Sequence, residues 1–201
     1  MTANELITNL SNTSLVGQQI SDLSIQENKD TLLELLNMAK NKVAEDTLLW
    51  LSGETITQVT GTQEYTLSTI PIQIIDIYDE NQVLRKRNVP DYTGYYQTSP
   101  NKIRFNSIQN GLDIFINYYE TPPDYLINDE IVIPPTLLSA LQFYIVGKSF
   151  EQYKAEADIF TSAEYFKKYN SAIQSYLSKT DNSNADTIVS GENKIYKRGI
   201  V

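Results

Sequence analysis

Cysteine and histidine are both missing from this chain of 201 residues. Without cysteine there is no thiolate nucleophile and no disulfide framework. Without histidine the commonest zinc ligand is gone, and so is the side chain that titrates near neutrality. Ser-His-Asp and Cys-His arrangements cannot be built, which excludes most familiar enzyme chemistry. Cations are scarce as well: 16 Lys and Arg stand against 25 Asp and Glu, a formal net charge of -9. Binding to nucleic acid draws on Lys and Arg releasing counterions from phosphates, so this balance argues against a grip on DNA or RNA. No run of 18 apolar residues occurs, and the stretch from Met1 to Glu5 lacks the basic and apolar blocks of a leader. The expectation is a soluble protein made in the cytoplasm, with no membrane contact, no metal, no cofactor and no catalytic site.

What is present reads as helix, strands, helices and tail. A hydrophobic fraction of 41% suffices for one core with a smaller appended lobe. Residues 1–27, rich in Asn, Ser, Thr and Gln, read as an N-terminal arm with a short helix over 3–10. Over residues 28–53, Leu32, Leu35, Leu36, Ala39 and Val43 recur at three- and four-residue steps, which predicts a helix ending at Ser52-Gly53 with Trp50 as a core anchor. Residues 54–133 switch to a period of two with many β-branched and aromatic residues, predicting five or more short antiparallel strands in a small sandwich or barrel. The pair Pro134-Pro135 then starts a helix over 135–153, followed by a second helix capped at Asp158 or Thr161 with the stripe Ile159, Ala163, Phe166, Ile173 and Leu177. This helical hairpin occupies residues 134–179, and residues 180–201 lose all periodicity and form a tail. The predicted class is α+β: a three-helix bundle with an inserted antiparallel β lobe and extended terminal arms. Its shared core would hold Leu36, Val43, Leu141, Ile145, Phe166 and Ile173.

Candidate functional residues are few. Arg85, Lys86 and Arg87 form a basic cluster after a turn, either a solvated hairpin end or an interface, and Tyr95 and Tyr96 are further interface candidates. The set Tyr92, Tyr95, Tyr96, Tyr118, Tyr119 and Tyr125 would serve a carbohydrate-binding or adhesion module if it lay on one exposed face. A hydrolase would need two carboxylates across a cleft, and the runs around Asp76, Asp79 and Asp113 have no spacing that predicts one. At the C-terminus Lys194, Ile195, Tyr196, Lys197, Arg198, Ile200 and Val201 alternate cationic and apolar side chains. They suit strand addition to a neighbour or contact with an acidic partner.

The segment with Pro134, Pro135, Leu137, Leu138, Ala140, Leu141 and Tyr144, continuing to Ala163, Phe166 and Tyr169, resembles the portal-adaptor (head-to-tail connector) family of tailed bacteriophages, especially short-tailed and crAss-like ones. The resemblance covers residues 28–180 and implies a structural virion protein of the head-tail neck, assembled in the host cytoplasm. It implies a ring of identical subunits, usually twelve, beneath the portal. Portal and further tail proteins are then partners, and DNA passes through during genome ejection without specific binding. An acidic wall fits that role, since it repels phosphates and lets the duplex slide. The family's C-terminal segment is thought to engage the portal.

Overall fold

Thr2 opens the first helix with a reciprocal cap: its hydroxyl accepts from the Glu5 amide at 3.2 Å, and the Glu5 carboxylate accepts from the Thr2 amide at 2.8 Å. Two donors that a helix start leaves unpaired are satisfied in this way. Helix α1 (Ala3–Asn12) follows and buries Ala3, Leu6, Ile7 and Leu10 along one side. The computed structural model describes residues 1–80, 84, 94–152, 156–180 and 188–189. Among them the fold is α+β, with four α-helices and two small sheets that are antiparallel apart from one short parallel addition. The chain divides into two compact units: residues 1–47 with 122–186, and residues 48–121 with 187–201.

The helical unit holds α1, α2 (Gln26–Thr47), α3 (Pro135–Glu151) and α4 (Glu156–Thr180). The extended N-terminal arm expected from composition is corrected here. Leu6, Ile7, Leu10, Leu15 and Ile20 are all buried, and α1 packs against α2. Within α1, Ala3, Leu6, Ile7 and Leu10 recur at three- and four-residue steps and make an apolar stripe that the many Asn and Ser around it conceal. Helix α2 ends at Thr47 rather than at Ser52-Gly53, because Leu48 turns to a φ of 50° and Trp50 to Gly53 enter a strand. The run Leu48 to Leu51 is apolar throughout and carries no period that separates helix from strand. Helix α3 starts as expected, with Pro135 at its first position, where a missing N–H costs nothing.

Helices α3 and α4 lie against one another through Gly147 and an aromatic ladder. The Ser162 hydroxyl donates to the Gly147 carbonyl at 2.9 Å, and Tyr144 meets the rings of Phe166 and Tyr169 edge-on at 5.7 and 5.4 Å. The expected stripe of α4 holds from Phe166 onward, with Leu177 half-buried, and fails at the start of the helix. Ser162, Tyr169, Ile173 and Tyr176 are buried and Phe166 is half-buried, whereas Ile159 and Ala163 are exposed. Tyrosines with buried rings share the inner face with Ile173, so the expected stripe leaves that face incomplete. Thr161 lies inside the helix, its hydroxyl donating to the Ala157 carbonyl, and is not a cap. Leu36, Val43, Leu141, Ile145 and Ile173 are buried as the periodicity requires.

The β unit pairs β1 (Trp50–Thr57), β3 (Pro71–Tyr78) and β6 (Asp113–Glu120) in one sheet and β2 (Glu64–Thr66), β4 (Tyr95–Ser99) and β5 (Lys102–Phe105) in another. A final two-residue strand, β7 (Ile188–Val189), lies beside β1, giving the order β3-β6-β1-β7. One core joins the two sheets: Ile77, Ile114, Ile116 and Tyr118 from the first, Tyr95, Ile103 and Phe105 from the second, with Leu67. That is the alternation of inner-face residues a small sandwich requires. The expected return strand over 83–86 lies outside the described residues except for Leu84, whose amide donates to the Ile77 carbonyl.

Candidate assembly surfaces

The segment that follows β6 shows how this chain builds a rigid surface. Lys40 of α2 is fully buried, and its Nζ donates to the carbonyls of Pro122 at 2.9 Å and Pro123 at 2.6 Å and to Asp124 Oδ1 at 3.1 Å. The Tyr125 ring lies 5.3 Å from the same nitrogen. One turn earlier on α2, the Asn37 side chain closes a two-way bond with the Tyr125 backbone, at 3.1 and 2.7 Å. A buried cation demands acceptors, and here two prolyl carbonyls supply them. Burial pulls the Lys40 ammonium below its usual range, while the bond to Asp124 opposes that shift.

The same loop caps α1. The amides of Ala3 and Asn4 donate to the carbonyls of Asp129 and Ile127, both at 2.9 Å, and the Ile131 amide donates to the Met1 carbonyl at 3.0 Å. The Tyr125 hydroxyl accepts from the Val132 amide at 3.2 Å. Residues 125–132 are thus tied to α1 and α2, with Leu126 (69% exposed) and Val132 (59%) projecting outward. A second apolar projection, Ile159 and Phe160, stands at the start of α4. Sequence reading passed over Leu126 and Val132, since a lone Leu or Val in a loop carries no periodic signal, and it assigned Ile159 to the inner stripe of α4, whereas the residue is exposed.

The sites singled out from sequence are distributed differently. Tyr95 is taken up by the core of the β unit, and burial there raises its hydroxyl above the usual range. Tyr96 is half-buried beneath the Arg104 guanidinium, 5.9 Å from its ring. Arg85, Lys86, Arg87, Tyr92 and the segment from Lys194 to Val201 lie outside the described residues. Tyr118 is buried, Tyr119 is half-buried, and Tyr125 covers Lys40, so the described tyrosines of that set make no exposed aromatic face.

Of the three carboxylates singled out from sequence, Asp76 has a buried Oδ1 without a hydrogen-bond partner among the described residues. Asp113 accepts from the Thr57 hydroxyl at 2.6 Å. Asp79 lines a cavity of about 110 Å³ with Gln58, Phe105, Leu112 and Ile114, and no second carboxylate is among its described lining residues. Among the described residues, Asp76, Asp79 and Asp113 are not brought together at this cavity. Net charge is also unevenly shared: the helical unit holds sixteen acidic and eight basic residues, the β unit nine and eight. The acidity of the chain therefore resides in the helical unit, its connecting segments included.

No curated protein matches the chain. A family model does: the one described as SU10 adaptor protein matches residues 1–190, which takes in every described residue of both units.

Proposed function

Because the chain belongs to the SU10 adaptor protein family, a family of phage head-tail adaptors, we propose that it is a structural neck protein that forms a ring beneath the portal and links it to the tail. The match across residues 1–190 carries this reading, since it spans the helical and the β unit together. In the ring, twelve copies would stand side by side. The helical unit and the β unit together form the subunit, and residues 181–201 reach to partners. Lys194, Ile195, Tyr196, Lys197, Arg198, Ile200 and Val201 are the portal-binding segment, and Arg85, Lys86 and Arg87 a further contact. Their charge supports this, because cations on these segments meet the acidity of the helical unit on another copy or on a similar partner. DNA passes the ring without being held, as an acidic wall favours. The protein is placed at the virion neck after assembly in the host cytoplasm, and its role is mechanical rather than catalytic.

Sizing the purified chain alone and mixed with its portal, followed by negative-stain imaging, tests the proposal. A closed ring on the portal is the expected result. A chain that stays monomeric and unbound at micromolar portal would refute it.

A further inference from the structure

Among the described residues, strand β7 meets β1 through two pairs, in parallel, with Trp50 opposite Ile188 and Leu51 opposite Val189. On its other side β1 is bonded to β6 from Leu51–Tyr119 to Thr57–Asp113. The outer edge of β1 is therefore the side on which this sheet accepts a strand, and the C-terminal segment is what it accepts. Two parallel pairs give little to set against the entropy of ordering the chain that precedes them. That chain, residues 181–187, reads Asp, Asn, Ser, Asn, Ala, Asp, Thr: small or polar throughout, with no apolar residue larger than alanine to fasten it. The eight steps from Thr180 to Ile188 reach at most about 26 to 29 Å, roughly the diameter of a small domain. Chain length therefore does not oblige β7 to use the β1 of its own copy. The same two pairs form with the same bonds when the strand comes from next door.

We infer, on the premise of the ring proposed above, that the edge of β1 at Trp50–Leu51 receives residues 188–189 of a neighbouring copy in the assembled state. Each subunit is thereby latched to the next. In a monomer the strand returns to its own sheet at equal enthalpy. In a closed ring the neighbour's edge is held at high effective concentration, and each edge is filled once by each strand, so the exchange leaves none open.

The absence of native cysteine makes the test clean. Leu51→Cys is made in a chain enlarged by a tag, Val189→Cys in an untagged chain, and the two are co-assembled and mildly oxidised. Paired strand neighbours lie about 4.8 Å apart, within disulfide range. A disulfide between chains of different size can arise only by exchange. The expected result is that species in the ring fraction, several-fold above its level in the monomer fraction. A chain carrying both cysteines should give a ladder from rings and an internal loop from monomers. Should Leu51→Cys fail to fold, Trp50→Cys with Ile188→Cys repeats the test one pair earlier. Rings that form normally but yield only internal disulfides, or none, overturn the exchange and leave the adaptor reading standing. Failure to form rings even on the portal removes both.

Discussion

Two buried polar residues make the clearest statements at the scale of single side chains. Lys40 is invisible to sequence reading because it falls within the apolar stripe of α2 and would be passed over as a solvated cation. Its partners lie 82 to 84 residues away, at Pro122 to Asp124. Lys40→Met keeps the stem but strands two carbonyls, and chemical denaturation should show a loss of about 2 to 5 kcal/mol. A loss under about 1 kcal/mol would mean that water reaches those carbonyls. Tyr169 donates to Asp46 Oδ2 at 2.6 Å, and burial first, then that bond, push its hydroxyl far above the ordinary value of 10.0. The folded chain keeps this proton where the unfolded chain has released it. The contribution to stability is therefore whole below pH 10.0 and shrinks as pH rises beyond it. Lys40 acts in the opposite sense, since burial lowers its folded value and stability gains as pH climbs toward 10.5. The difference between wild type and Tyr169→Phe isolates the phenol. The variant should lose less stability than wild type above pH 10.0 in urea melts followed by circular dichroism. Parallel curves would show that the phenol is not the titrating group.

At the scale of elements, period and punctuation located most of the structure. Helix α3 announced itself through Pro135 and the β unit through its alternation. The errors fell where local signals admit two outcomes: the Asn- and Ser-rich start of the chain, the apolar run Leu48 to Leu51, and the first turns of α4, where Ile159 and Ala163 are exposed. Gly147 decides how closely the hairpin packs. A Cβ there would meet the Phe166 ring at 3.2 Å, closer than most real contacts allow. Although Ala, Leu and other straight-chain residues favour helix over glycine by up to about 1 kcal/mol, Gly147→Leu must displace Phe166 and part the helices. We expect a net loss of about 1 to 3 kcal/mol in thermal and urea unfolding, with a changed near-ultraviolet spectrum from the Tyr144–Phe166–Tyr169 cluster. Unchanged stability and spectrum would show that the hairpin has room to spare at this point.

For the whole molecule the decisive region is the C-terminal one. Deleting residues 181–201 removes β7 and the basic segment but none of α4. The truncated chain should keep the circular dichroism and melting of the full one, while ring formation and portal binding fall at least tenfold. Wild-type affinity in the truncated chain would assign the contact to the outward faces at Leu126 or Phe160 instead. Composition and period are local properties of the chain, and by themselves they determined what chemistry is excluded, the α+β class, the order of elements and the acidic balance. Only the tertiary structure decided that α1 folds onto α2, that Tyr95 belongs to a core, that Lys40 closes on Pro122 and Pro123, and that the edge of β1 meets residues 188–189. Each of these joins groups distant in sequence, whose affinity for one another depends on the space between them and leaves no periodic trace in either partner.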